Sequence, residues 1–400
     1  MNNDLSTEQT PSKSRFVSVI YAGFYGGQFV LLGIQLPFFA GWLFQKGFST
    51  AEIGLITGAS LIARLLLGPF VAFWADHQHD ERRSLRIMSF LFALGGVGLI
   101  LAPTKILIGA AAALIIWTFG MLVPLTDTAV LRADRNGWVN YGQVRAAGSA
   151  YFLVTTILGG ALLGQVGVSA AAPVMAIAAV AAFGISLLLP KGVGGRGGAK
   201  PVSWREAPKL LSSPVFLTVL IAAGLTQGAH AVYYAFSFLR WEVLGYSTLT
   251  IGLLWATGVI AEIVLLTRAR GIARRMGPAT LLIIGAAAAT VRWFFVALEP
   301  PLPVLFLLQT LHALTFAATY LGTIEFLDRA SPLRLVNTGM TLMSTTGIGA
   351  FTGLATVIAG YVWQAGGAGP AYLMMSSMGA IAVICAFMVA RIWDGGKLFE

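Results

Sequence analysis

Residues 47–64 read GFSTAEIGLITGASLIAR, and residues 245–262 read GYSTLTIGLLWATGVIAE. Eight of the eighteen positions are identical at a constant offset of 198. Each segment carries a Ser-Thr pair just before a long apolar run, which is a helix-start signal; in the first copy Glu52 follows Ser49 by three residues, the spacing of a capping box. Gly54 and Gly58 in one copy, and Gly252 and Ala256 in the other, put small side chains on one helix face, where a neighbouring helix can approach closely. The last aligned pair is Arg64 against Glu262, opposite charges at the same helical position. A chain that writes one helix twice, almost two hundred residues apart, predicts two homologous halves in parallel arrangement.

Composition says where those halves reside. Of the 400 residues, 57% are apolar and 10% are charged, and the mean hydropathy is +0.81. A water-soluble domain cannot hide that much apolar surface, so the chain is expected to be an all-α integral membrane protein. The net charge of +10 does not point to nucleic acid, because the basic residues sit in short loops between apolar runs. One cysteine, Cys385, lies in an apolar segment and excludes a disulfide framework. The polar start MNNDLSTEQTPSKSR has no signal-peptide core and is expected to remain cytoplasmic.

Twelve apolar runs are long enough to cross the hydrocarbon layer: 16–44, 50–74, 84–102, 106–131, 145–165 and 172–189, then 214–240, 249–268, 279–298, 303–327, 338–362 and 370–392. They group as an N-terminal tail (1–15), a six-helix half (16–189), a linker (190–213), a second six-helix half (214–392) and a C-terminal tail (393–400). With both termini inside, the inner segments hold 21 Lys and Arg and the outer loops hold three, Lys46, Lys105 and Arg240. That asymmetry supports both the number of spans and the cytoplasmic termini. The linker, KGVGGRGGAKPVSWREAPKL, is glycine-rich and basic, with a short amphipathic helix expected at Ser203–Leu211. Its GGRGGAK lacks both the Gly-Lys-Ser/Thr ending and the preceding strand of a nucleotide loop. Further small-residue pairs, Gly160 with Gly164 and Gly349 with Gly353, mark spans five and eleven; helix packing alone accounts for them.

Ionisable groups inside the spans are few: Arg64, Asp127, His230, Glu262, Arg292 and His312, with Arg145 at the start of span five and Glu325 near the inner end of span ten. A mid-bilayer charge costs at least about 2.5–3.5 kcal/mol, so each is expected to meet a partner or a water-filled cavity. Any one of them is accounted for equally by a packing salt bridge. The set, of both signs and spread over both halves, points to a solute and proton pathway. Arginine cannot release its proton, so the proton candidates are Glu262, Asp127, His230 and His312. The guanidinium fork suits a carboxylate, which makes Arg64, Arg145 and Arg292 candidate solute anchors. Tyr233, Tyr234, Phe152 and Trp255 are aromatic candidates for stacking on a ring, with packing as the ordinary alternative.

Local patterns carry a resemblance as well. They are GIQLPFFAGWL in span one, FWADHQHDERR after span two, PLTDTAV followed by YGQVRAAGSAYF, GAHAVYYAFSFLRW in span seven, TVRWFF in span nine and LLQTLHALTFAATYLGTIEF in span ten. Together these resemble the phenylpropionate-permease-like branch of the major facilitator superfamily, and more distantly the lactose permease and nucleoside–proton symporter families. The resemblance implies the major facilitator fold, twelve transmembrane helices in two pseudo-symmetric six-helix halves. It implies a gating loop in which Asp76 is the acid and Arg82 and Arg83 the basic pair; Ala72 and a His-containing insert depart from that loop's pattern. It implies substrate contacts at Asp127 and Arg145, a ring platform at Phe152, and a binding and proton network of Glu262, Arg292 and His312. In the nearer branch it implies Arg64 as a partner for a carboxylate. With His230 as an intramembrane ionisable group and Tyr234 as an aromatic ring, these complete the candidate substrate-binding set, and proton coupling is expected through Glu262, Asp127 or His312. Thr315 stands where the lactose permease has a proton-releasing Glu, and Gln309 where it has a Lys, so that permease's mechanism does not transfer whole.

The expectation is a secondary active transporter that imports a small organic solute with protons by alternating access, the solute being an aromatic or other organic carboxylic acid. Alternatives are a sugar or nucleoside proton symporter, a drug/proton antiporter of the same fold, and a non-transporting membrane sensor or scaffold. An enzyme is not expected, since no His-Glu-x-x-His, Gly-x-Ser-x-Gly or paired catalytic aspartates occur in the spans. No cofactor, no metal and no nucleic acid are expected. The partners expected are the solute, protons and the lipid of a bacterial-type inner membrane, with the protein acting as a monomer.

Overall fold

The computed structural model describes residues 11–78, 80–190 and 207–399. Among them, twelve helical segments are long and apolar enough to cross a membrane. They are α1 (Arg15–Gln45), α2 (Thr50–Ala75), α3 (Glu81–Leu101), α4 (Lys105–Arg135), α5 (Tyr141–Val166), α6 (Val168–Ser186), α7 (Pro214–Val243), α8 (Thr248–Leu266), α9 (Pro278–Ala297), α10 (Leu302–Ala330), α11 (Thr338–Gly366) and α12 (Ala368–Ile392). Each coincides with one run expected from hydropathy. The ends differ. Helix begins already at Pro11, a residue that loses no hydrogen bond in a first turn, and α4 continues to Arg135. The expected linker falls mostly on residues 191–206, which lie outside the described ones; of the expected amphipathic helix, Ala207–Leu211 is helical. The expected inner loop at 268–277 contains a further short helix, Ala269–Met276.

Three spans depart from a plain α-helix. In α7 the helix stops at Gly228 and restarts at Ala231, so Ala229 and His230 form a break inside the membrane segment. α10 passes through a π-helical stretch at Ala313–Ala318, directly after His312, and α11 through another at Met343–Ala350. Such widened turns re-aim side chains and recur at functional positions.

The chain divides into two compact units. In one, α3 lies against α4 and α6, with Gly96 letting the Ala176 backbone approach; a methyl group at Gly96 would sit 3.0 Å from the Ala176 Cα. Arg86 donates to the carbonyls of Ser186 and Leu187, at 3.3 and 2.7 Å, and so closes the C-terminal end of α6.

The other unit gathers Leu36–Leu66 and Thr156–Ser169 with the second half of the chain. The repeated segment explains that grouping. Gly47 and Gly245, the first residues of the two copies, have φ of 83° and 80°, a conformation that favours glycine and lets each preceding helix end and turn sharply. The expected capping box forms: the Ser49 N–H donates to Glu52 at 2.7 Å and the Glu52 N–H to the Ser49 hydroxyl at 3.2 Å. Thr50 then donates its hydroxyl to the Gly360 carbonyl, and Thr248, its counterpart in the repeat, donates to the Gly160 carbonyl. One turn further, a methyl group at Gly54 would lie 2.8 Å from the Thr356 carbonyl oxygen, and one at Gly252 would collide with the Thr156 carbonyl. The pairs α2–α11 and α8–α5 therefore cross by the same device, glycine against backbone with a threonine hydroxyl as hydrogen bond. Lipid offers no hydrophobic drive for helices to associate, so close packing and hydrogen bonds of this kind carry the contact. An apolar core in this unit collects Phe216, Val219, Phe326, Leu335 and Trp393, whose ring meets Phe326 edge-on at 4.9 Å.

Candidate solute and proton site

Each unit holds one group of intramembrane charges. In the first, Asp127 on α4 accepts a short hydrogen bond from the Tyr25 hydroxyl on α1 and a further one from Tyr141. Arg145 on α5 approaches the same carboxylate, with Nε 3.5 Å from Oδ1. The guanidinium of Arg145 also lies over the rings of Phe29, at 4.9 Å, and Tyr25, at 5.7 Å. Its side chain remains one-third exposed (33%). The geometry gives Asp127 two hydroxyl donors and one cation, and leaves Arg145 with an open edge. Gln28, one turn along α1, donates to the Thr126 hydroxyl at 3.1 Å and ties α1 to α4 beside this group. Phe152, expected as a ring platform, is buried, and its carbonyl lies beside Gly33 of α1.

In the second unit Arg292 is fully buried. Its Nη2 donates to Gln309 Oε1 at 2.6 Å, its Nη1 to Thr315 Oγ1 at 3.2 Å, and the same Nη1 faces His312 Nδ1 at 3.3 Å. The guanidinium is flanked by the ring of Tyr233 at 5.0 Å and that of Trp293 at 4.3 Å. Hydrogen bonds to a charged group are each worth about 1.5–3 kcal/mol, and a desolvated cation–π contact up to about 2 kcal/mol, which together make a buried guanidinium tolerable here. His312 turns its other nitrogen, Nε2, toward Glu262 Oε2 at 3.4 Å. Glu262 is the more open of the two, 21% exposed against 8%. Gly258, one turn before Glu262 on α8, makes the approach possible, since a methyl group there would meet His312 Cβ at 3.2 Å.

His230, at the α7 break, is fully buried, with Nδ1 on the Gln227 carbonyl at 3.1 Å and Nε2 on the Thr315 hydroxyl at 2.8 Å. Both ring nitrogens are engaged by the chain, so the solute contact expected of His230 has no open atom in this structure. Tyr233 stacks on Trp255 at 4.2 Å, and the half-buried Tyr234 lies over the same indole at 5.9 Å.

Arg64 is exposed, unlike Arg292. Leu55 and Leu66 on the same helix are 48% and 62% exposed and define its apolar outward face. At about 100° per residue Arg64 sits roughly half a turn from Leu55, on the opposite side of α2. Of the loop residues, Arg82 is clamped by Asp80, with Nε 2.9 and 3.0 Å from the two carboxylate oxygens, and Asp80 also accepts from the Arg82 backbone to cap α3. Arg132 pairs with Glu81 at 2.9 Å. Arg83 is exposed, and the Asp76 side chain lies outside the described residues.

Sequence reasoning did not single out Tyr25, Gln28 or Phe29. Their signal was present: Tyr21, Tyr25 and Gln28 recur at helical spacing in an otherwise apolar span.

Comparison with known proteins gives this arrangement its family. A model described as the MFS_1 like family matches residues 18–374. The chain belongs to that family of major facilitator transporters. It is 28% identical over 363 residues to a probable 3-phenylpropionic acid transporter of Escherichia coli (strain K12), covering 88% of this chain and 92% of that one. It is 24% identical to the maltose permease of Geobacillus stearothermophilus over 93% of this chain and 94% of that one. Among solved structures, the nucleoside transporter NupG matches with a TM-score of 0.76 at 16% identity, covering 94% of this chain and 100% of that one. A bacterial homologue of the human lysosomal transporter Spinster, inward-facing and unoccupied, matches with a TM-score of 0.75 at 14% identity, over 96% of this chain and 98% of that one. At such identities these structures speak for the fold. The expectations of a transporter, of twelve spans and of a membrane protein that is not an enzyme are thereby met.

Proposed function

We propose that this chain is a proton-coupled importer of a small organic anion, an aromatic carboxylic acid of the phenylpropionate kind, working by alternating access in a bacterial-type inner membrane with both termini cytoplasmic. The observation that carries this reading is the unequal state of the two acidic groups. Asp127 shares its carboxylate with Arg145, a permanent cation, and with the Tyr25 hydroxyl, whereas Glu262 faces the imidazole of His312. A fixed positive charge beside a carboxylate favours its ionised form, which a neutral imidazole does not do, and this supports Glu262 as the proton carrier of the two.

Solute charge is assigned to the arginines with open edges. Arg145 keeps one-third of its side chain exposed, and Arg64 lies away from the apolar face of α2. Each presents a planar fork suited to a carboxylate. Arg292, wholly buried, serves the network around it instead. The Tyr234–Trp255 pair offers an apolar stacking surface for an aryl ring. The likeness to a probable 3-phenylpropionic acid transporter supports an aromatic acid as the solute. The 21-to-three distribution of Lys and Arg supports the orientation, and two six-helix halves rocking about a central site supply the transport step.

The test uses purified protein in liposomes with labelled 3-phenylpropionate. Wild-type protein is expected to accumulate the acid inside when the lumen is made alkaline. Glu262→Gln is expected to keep solute exchange and lose accumulation. Accumulation at the wild-type level in Glu262→Gln removes Glu262 as carrier. Accumulation driven by an acidic lumen instead marks an antiporter, and no movement of solute at all marks a sensor or scaffold.

A further inference from the structure

The segment after α12 turns back onto the fold. α12 ends at Ile392, and the Trp393 N–H still donates to the Val389 carbonyl at 3.0 Å. The chain then reverses. Asp394 Oδ1 accepts from the Gly396 N–H at 2.9 Å, an Asx turn, and Gly395 within it has a φ of 89°, a conformation that favours glycine. The Trp393 indole N–H donates to the Gly396 carbonyl at 2.9 Å and fastens the turn to its own base. This reversal delivers the Leu398 N–H to the Ala330 carbonyl at 2.9 Å. Ala330 is the last residue of α10, and the final four carbonyls of a helix have no partner within it. Leu398 and Phe399 pack on the apolar core of Phe326 and Trp393. The same core takes in Ala207 and Leu210 of the short linker helix, and Leu335 and Leu342 of Leu333–Leu342, the helix that leads into α11.

We propose that residues 393–399 form a strap that holds the end of α10, the start of α11 and the linker helix in one arrangement, and that release of this strap speeds the transport cycle. Beyond the turn, the strap is attached by a backbone hydrogen bond and by the partly buried side chains of Leu398 and Phe399. Loss of one such hydrogen bond shifts an equilibrium by up to roughly tenfold, so the attachment can form and break. The strapped helices are also ones whose register changes along their length. α10 is π-helical at Ala313–Ala318 and α11 at Met343–Ala350. A widened turn lets the part of a helix beyond it shift against the part before it. The strap grips the ends that these turns free, and it does so far from the intramembrane charges. At 1.5 Å per residue, Ala330 lies roughly 27 Å along α10 from His312. The strap therefore acts on the rate of the cycle and not on affinity for the solute.

Two variants of the full chain release the strap by different means. Leu398→Pro removes the N–H that Ala330 accepts. Gly395→Val strains the turn alone, because a side chain at Gly395 meets no atom within 4 Å. Spin labels at the exposed positions Asp328 on α10 and Lys209 in the linker helix, read by pulsed distance measurement in nanodiscs, report the arrangement. Both variants are expected to move its population by up to roughly tenfold toward longer distances. Leu398→Met, which keeps the N–H and an apolar side chain, is expected to match wild type. In liposomes, exchange of labelled 3-phenylpropionate is expected to rise severalfold in both strap variants, with half-saturation unchanged. A wild-type distance distribution in both variants overturns the proposal. So does a lower unfolding midpoint with unchanged exchange, which marks a tail that only stabilises the fold. The distances need no solute: if wild-type protein exchanges no 3-phenylpropionate, the proposed function fails while the distances still judge the strap.

Discussion

Thr248 donates its hydroxyl to the Gly160 carbonyl at 2.6 Å, and Thr50, the residue that matches it in the repeat, donates to the Gly360 carbonyl at 3.2 Å. Each hydroxyl lies in the first turn of its helix, one turn before a glycine that rests on the backbone of the crossing helix. A neutral hydrogen bond of this type contributes about 1 kcal/mol net, small enough to form and break within a transport cycle. Replacing both threonines by valine is therefore expected to shift the populations of these two crossings by roughly tenfold or more. Spin labels on α2 and α11 and on α5 and α8, read by pulsed distance measurement, check it; unchanged distance distributions in the double variant reject a role for these hydrogen bonds.

Arg292→Lys keeps the charge and loses the fork. One ammonium cannot reach Gln309, Thr315 and the His312 ring together, so at least one buried acceptor is left unpaired at a cost of about 1–3 kcal/mol. The variant is expected to unfold several degrees lower in detergent and to lose accumulation. Thermal unfolding at the wild-type midpoint contradicts this.

Gln309 offers a contrast of sign. Gln309→Lys sets a second cation against the buried Arg292 and is expected to abolish folding or transport, whereas Gln309→Glu supplies a counter-charge and is expected to fold at least as stably as wild type. Expression and thermal unfolding of the pair, measured side by side, decide it; equal behaviour of the two variants refutes the electrostatic account.

Gly258→Ala tests the approach of α8 to α10. The added methyl group meets His312 Cβ at 3.2 Å, so His312 must move away from Glu262. Accumulation is expected to fall while exchange is largely retained, and its pH profile is expected to move. A pH profile that superimposes on wild type rejects the coupling of these positions.

Asp80 lies in the loop before α3, and the Arg82 side chain beside it holds its carboxyl below the ordinary carboxylate range. With the folded value depressed, the stabilisation is complete above the unfolded value, near pH 4, and is lost only as pH falls through the folded one. The pair therefore stays ionised throughout pH 5 to 8 and does not act as a switch there. Asp80→Asn is expected to cost about 0.5 kcal/mol or less at pH 7, since the carboxylate is exposed. A difference in stability that varies between pH 5 and 8 contradicts this reading.

Hydropathy, loop charge and the repeat at 47–64 and 245–262 determine the number of spans, the family of folds and the short set of intramembrane charges. These are local or additive properties: a run of twenty apolar residues is a span whatever its neighbours are, and a charge inside it is costly wherever the helix faces. The sequence left Arg64, Arg145 and Arg292 equivalent, and did the same for the two histidines. Only the tertiary structure separates them. His230 lies in the break at Ala229–His230, Thr315 lies in the π-helical turn at Ala313–Ala318 that follows His312, and Gly258 lets His312 pack against α8. How each histidine is engaged, and which arginine keeps an open edge, depends on helix rotation and on distances of a few tenths of an ångström between residues far apart in the chain, such as His230 and Thr315 or Tyr25 and Arg145. No periodicity in the sequence encodes those distances, because they belong to contacts between helices and not to any one helix.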